Sequence, residues 1–216
     1  MERSQNIKKY KEEYFLYLIF TVGIIGHLVD QLIPIMLYLT PFTLLLTGSV
    51  VLYKSYKSSN KLFLYWIIIT YLITFSLEVI GVKTGLIFGE YLYGETLGLK
   101  LFDVPLIIGF NWVFVILGAI SIARIISKNN LVVSLIAALI AVIFDFILEP
   151  VAIKLDYWQW SENIIPLQNY AAWFLIAFFS SFLYEQFKIE TDSKISIHYL
   201  IIQFIFFLFI NLFQVR

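Results

Sequence analysis

Crossing the hydrocarbon core of a bilayer takes about 20 consecutive, mostly apolar residues. This chain offers seven such stretches, at roughly 14–29, 32–53, 61–80, 104–126, 131–150, 168–187 and 195–213. Backbone N–H and C=O groups find no water in lipid, so each stretch has to satisfy its own hydrogen bonds as a helix. Composition agrees: 61% of the 216 residues are hydrophobic and 14% are charged, against about 45–50% and about 25% in soluble domains. The expected fold is all-α, a polytopic membrane helix bundle of about seven transmembrane helices in a single integral membrane domain over 1–216, with two longer outer-side loops at 81–103 and 151–167.

Lys and Arg counts orient such a bundle. Eleven basic residues fall on one side, from Arg3, Lys8, Lys9 and Lys11 through Lys54, Lys57, Lys61, Arg124, Lys128, Lys188 and Lys194. Four fall on the other: Lys83, Lys100, Lys154 and Arg216. The N-terminus is therefore expected in the cytoplasm of a bacterial or archaeal cytoplasmic membrane, with the C-terminus and both long loops outside. The first apolar run follows Lys11 but no small-residue cleavage site follows it, so no cleavable signal peptide is read. With no Cys there is no disulfide framework or thiolate metal site. Zero net charge and no basic block give no nucleic-acid partner; membrane lipid is the expected surrounding.

The stretch 78–95 departs from ordinary membrane helix. It starts at Glu78 and carries Gly81, Gly85, Gly89 and Gly94, with Tyr91 and Tyr93 one residue apart. Glycines permit turns and close backbone approach, so Phe88 to Tyr93 is expected to fold as a short hairpin or re-entrant lid over a pocket. Ionisable groups inside membrane spans are costly and point to function. Glu78 closes the third span, Asp145 and Glu149 lie near the end of the fifth, His27 and Asp30 end the first, Asn111 lies in the fourth, and Asn169 starts the sixth. Under the expected topology they share one depth. At 100° per residue Ser134, Ala138, Ala141, Asp145 and Glu149 fall within roughly 80°, and Tyr71, Thr74 and Glu78 within roughly 60°. Asn169, Trp173, Ser180 and Tyr184 form a third stripe. These faces predict a polar pocket in which Glu78, Asp145, Glu149 and Asn111 line one cavity, with Tyr91 or Tyr93 near its mouth. Asp30 and Glu90 read more simply as interfacial charges, Glu185 as an interfacial acid beside Lys188, and Tyr157, Trp158, Trp160 and Trp173 as an aromatic belt.

Several motifs add a family. Gly81-Val-Lys-Thr-Gly-Leu-Ile-Phe-Gly-Glu-Tyr-Leu-Tyr, then Leu97-Gly, Val104-Pro and Asn111-Trp, resembles the carotenoid biosynthesis protein family. Asp145-Phe-Ile-Leu-Glu-Pro-Val-Ala with Tyr157-Trp-Gln-Trp resembles its second signature, and Pro166-Leu-Gln-Asn-Tyr-Ala-Ala-Trp its third. The match runs in order over about 70–187 and departs at Glu149, where many members carry Asp. The resemblance implies a lipophilic carotenoid substrate and, in the carotenoid 1,2-hydratases of the family, addition of water across the terminal double bond to give a tertiary alcohol. Other carotenoid-pathway enzymes are conceivable partners.

Such chemistry needs a proton donor, a base for water and a shelter for a tertiary cation. A carboxyl group buried in a low-dielectric site keeps its proton, so Asp145, Glu149 and Glu78 are the candidate catalytic residues. Asn111, Trp112, Tyr91, Tyr93, Asn169, Trp173 and His27 are the candidate substrate-binding residues; aromatic faces among them can stabilise a cation. No cofactor and no metal is expected. The alternatives are a carotenoid end-group cyclase or isomerase, which loses a proton instead of capturing water, and a small membrane transporter, for which no repeated halves are visible.

Overall fold

The computed structural model describes residues 10–191 and 193–214. Arg3, Lys8, Lys9 and Arg216, which entered the orientation argument, lie outside the described residues. Among the described residues seven helices form: α1 Lys11–His27, α2 Ile33–Lys57, α3 Leu62–Thr84, α4 Leu106–Ile126, α5 Asn130–Lys154, α6 Leu167–Gln186 and α7 Ser193–Gln214. Asp30–Lys57, Leu62–Thr84, Leu106–Ile126, Asn130–Lys154 and Lys194–Phe213 are long and apolar enough to cross a membrane. The other two are α1, only 17 residues long, and α6, whose apolar run is diluted by Asn169, Ser180, Ser181 and Glu185, all buried within the bundle. Large apolar side chains such as Leu18, Tyr38, Leu72, Phe146 and Phe179 point outward, a surface suited to acyl chains.

The bundle is built around α4. Fourteen of its 21 residues are buried, as expected of a helix apolar on all sides. Small residues let neighbours come close: a methyl group on Gly118 would lie 2.8 Å from the Ser196 carbonyl oxygen of α7, and the Ser121 and Ser196 hydroxyls meet at 3.0 Å. At one end of the bundle, ion pairs tie the helix termini. Lys54 reaches Glu12 at 3.2 Å and Glu13 at 2.9 Å. Arg124 pairs with Glu185 at 2.7 Å and donates to the Ile189 carbonyl, so Glu185 belongs to Arg124 rather than to Lys188.

The two long loops meet at the opposite end, on one side as expected. Gly85, at φ +66°, ends α3 in the left-handed conformation that a residue without Cβ adopts freely. The chain then forms β1 (Tyr91–Tyr93), β2 (Lys100–Leu101) and β3 (Val104–Pro105), while the other loop supplies β4 (Trp158–Trp160). The expected local hairpin at Phe88 to Tyr93 is not formed. The hairpin lies further on, where β2 and β3 pair around Phe102 and Asp103, both at positive φ, as a tight two-residue turn requires. Instead, β1 pairs antiparallel with β4, placing Tyr91 opposite Trp160, Leu92 opposite Gln159 and Tyr93 opposite Trp158. Alternation along a strand sends Tyr91, Tyr93, Trp158 and Trp160 inward and leaves Leu92 and Gln159 outside.

This pairing is open to a direct test. Directly opposed strand residues lie within disulfide range, and the chain has no cysteine of its own. The double variant Leu92→Cys, Gln159→Cys is expected to form an intramolecular disulfide under mild oxidation, read as a mobility shift reversed by reductant. No cross-link, with both thiols reactive, is the result that excludes the register.

Candidate active site

The periodicity expected of the helix faces places three carboxyl groups in one chamber. Ser134, Ala138, Ala141, Asp145 and Glu149 are all buried along α5, and Asp145 and Glu149 are each only 1% exposed. One turn of helix separates them, so both project towards α6, against which α5 packs closely. There Asn169, 2% exposed in the first turn of α6, donates to both acids. Its Nδ2 lies 2.7 Å from Asp145 Oδ2 and 3.1 Å from Glu149 Oε1. Glu78, buried in the last turns of α3, completes the set and accepts a hydrogen bond from the Tyr91 hydroxyl.

The lid supplies the remaining donors. Glu149 Oε2 accepts from the indole N–H of Trp158 at 3.0 Å and of Trp160 at 2.8 Å. Each bond from a neutral donor to an ionised acceptor contributes roughly 1.5–3 kcal/mol. Trp158 and Trp160 are therefore not a membrane belt, and neither is Trp173, which stacks inside the chamber. The signal was present in Trp-Gln-Trp, since a period of two puts both indoles on one strand face. It became decisive only once a strand partner existed. Burial, then the neighbouring Glu78 carboxyl, pushes the Tyr91 and Tyr93 phenols well above the ordinary tyrosine range, so both serve as neutral O–H donors.

Aromatic rings close the walls. Trp112 of α4 stacks on Trp173 of α6 with centroids 3.6 Å apart, and Phe88 of the lid stacks on Trp173 at 5.2 Å. Tyr91 and Trp160 meet at 4.9 Å across the strand pair. The space enclosed is about 20 Å³, and a cavity of roughly 10–15 Å³ or more suffices for one water molecule. The lining residues include three carboxyl groups and no Lys, Arg or His. Such a set, bridged by N–H and O–H donors instead of cations, can hold and exchange protons.

Two expected members lie elsewhere. Ile108 and Trp112, one turn apart on α4, face the chamber, and Asn111 is rotated about 100° from Trp112. Asn111 lines a neighbouring, mainly apolar cavity of about 200 Å³ together with His27, so the expectation that Asn111 shares one cavity with the acids is not met. Tyr91 and Tyr93 sit within the chamber rather than at its mouth. Asp30 and Glu90 are exposed, in keeping with interfacial charges.

The carotenoid biosynthesis protein family model matches residues 14–216. The chain belongs to the carotenoid biosynthesis protein family. The chamber residues fall within that match. Over 112 residues the chain is also 31% identical to the bisanhydrobacterioruberin hydratase of Haloarcula japonica. That alignment covers 48% of this chain and 38% of the relative, so the chain spans well under half of the length of the relative it matches. No solved structure matches the chain.

Proposed function

We propose that this member of the carotenoid biosynthesis family is a cofactor-independent hydratase, adding water across the terminal double bond of an acyclic carotenoid end group. The observation that carries the reading is the Asn169-bridged pair Asp145 and Glu149, buried in a chamber with room for about one water molecule. The hydratase relative supports the same class of reaction.

The hydrogen-bond pattern supports the following roles. Asp145 accepts one bond, at Oδ2, leaving Oδ1 to present a proton. Glu149 accepts three N–H bonds, a setting for a group that acts as an acceptor. Asp145 protonates the less substituted alkene carbon, leaving a tertiary cation on its neighbour. The Trp112–Trp173 stack and Tyr91 shelter that cation with their π faces. Water attacks it, and Glu149 takes the proton released, so one water is consumed and one C–H and one C–O bond form. Proton return from Glu149 to Asp145 restores the start. Glu78, coupled to Tyr91, is the third carboxyl available to that exchange.

Expression in a host that makes lycopene or γ-carotene tests the reading. The expected pigment is heavier than its precursor by one water. A product of unchanged mass but altered retention would establish a cyclase or isomerase, and unaltered pigment in cells with abundant membrane-inserted protein would overturn both.

A further inference from the structure

The second cavity, of about 200 Å³, lies between α1, α2, α4 and α7. Val22 and Leu39 in its wall are also 52% and 41% exposed, which sets this side of the cavity against the bilayer between α1 and α2. Ile108 and Trp158 line both this cavity and the carboxylate chamber, and these two side chains form the partition.

A cavity meant only for hydrocarbon would be apolar throughout. This one is not. Gln203 of α7 is fully buried, and neither its Nε2 nor its Oε1 has a hydrogen-bond partner; the Oδ1 atom of Asn111 is likewise buried and unpartnered. Two other side chains in the wall have backbone partners: Thr40 donates to the Met36 carbonyl at 2.9 Å, and His27 Nδ1 lies 2.7 Å from the Gly23 carbonyl oxygen. Leaving a buried amide unpaired is costly, and a primary amide offers two donors and two acceptor sites. One donor atom and two acceptor atoms, on two residues that line this cavity, thus lack partners beside the proposed proton-transfer site.

We propose that this cavity binds the alcohol-bearing end of an isoprenoid chain, with Gln203 and Asn111 holding its hydroxyl group. An alcohol matches these groups: its oxygen accepts from Gln203 Nε2, its O–H donates to Gln203 Oε1 or Asn111 Oδ1, and its alkyl body fills the apolar remainder. The proposal rests on the hydratase reading only for the origin of the alcohol; binding itself is separable from catalysis.

The test measures binding to the full chain in phosphatidylcholine vesicles by quenching of tryptophan fluorescence. The probes are lycopene and lycopene hydrated at one end. Wild-type protein is expected to bind the hydrated probe about tenfold more tightly, the upper range for one net neutral hydrogen bond. Gln203→Met, which keeps length and removes the amide, should lose most of that preference. It should melt at or above the wild-type Tm without ligand, because an unpaired buried amide has been removed. Asp145→Asn should retain the preference, so loss of hydration in that variant leaves this proposal standing. Equal binding of both probes by wild type, a preference that survives Gln203→Met, or a Gln203→Met variant that melts well below wild type would each overturn it, the last by showing the amide to be structural.

Discussion

Replacing Asp145 by Asn is expected to lower the hydration rate by about 10²–10⁴-fold, the usual contribution of a positioned acid or base, while the protein still accumulates in the membrane. The substitution keeps the side chain's shape, and an Asn oxygen can still accept from Asn169 as Asp145 Oδ2 does. What disappears is the acidic proton. A neutral amide also costs less in the bilayer than an unpaired charge, so folding should survive. Glu149→Gln should reduce the rate as severely but is the less clean experiment. Glu149 accepts from Trp158, Trp160 and Asn169; a Gln side chain offers one acceptor oxygen and an NH₂ group, so at least one donor is left facing another donor. That variant should lose stability as well as rate. Pigment analysis in a carotene-producing host, normalised to membrane protein level, reads both effects. Normal accumulation of Asp145→Asn with wild-type hydration would end the carboxylate mechanism.

The second large effect should come from Gly94, which is not among the residues that line the chamber. Gly94 closes β1 and donates its N–H to the Tyr157 carbonyl at 3.0 Å. A methyl group there would lie 2.2 Å from the Asp156 carbonyl oxygen and 2.5 Å from the Asp156 Cγ. Backbone cannot yield as a side chain can, so the two loops must part. Gly94→Ala is expected to destabilise the protein by about 1–3 kcal/mol or more, as overpacking does, and to release the lid. Glu149 then loses its indole donors and Glu78 its tyrosine. Loss of even one bond to a charged partner amounts to about 10–100-fold in rate. Leu99→Ala, at a 76% exposed position of the same loop, should be silent in both assays. A Gly94→Ala protein with wild-type Tm and wild-type hydration would show that the β1–β4 pairing does not support the chamber.

Much of this architecture is written in local periodicity. An apolar run long enough to span a bilayer has one backbone solution, a helix, so the five long apolar helices follow from the sequence alone. A period of 3.6 residues puts Asp145 beside Glu149, in line with Ser134, Ala138 and Ala141, and the structure buries that whole stripe. Glu78 and Asn169 reach the same chamber for the same reason: residue position along antiparallel helices sets depth, and helix phase sets the face.

Depth and phase within one helix do not set how that helix is rotated against its neighbours. Only tertiary packing turned Ile108 and Trp112 of α4 towards the acids and Asn111, at the same depth, towards the cavity it shares with Gln203. Strand pairing is also non-local. Tyr-Leu-Tyr and Trp-Gln-Trp each carry the two-residue alternation of a strand, but a strand needs a partner to satisfy its backbone, and nothing near either segment identifies the other as that partner. Once α3 and α5 deliver the two loops to the same end of the bundle, β1 and β4 can exchange hydrogen bonds. The indoles that would otherwise sit at a membrane interface are then turned inward onto Glu149.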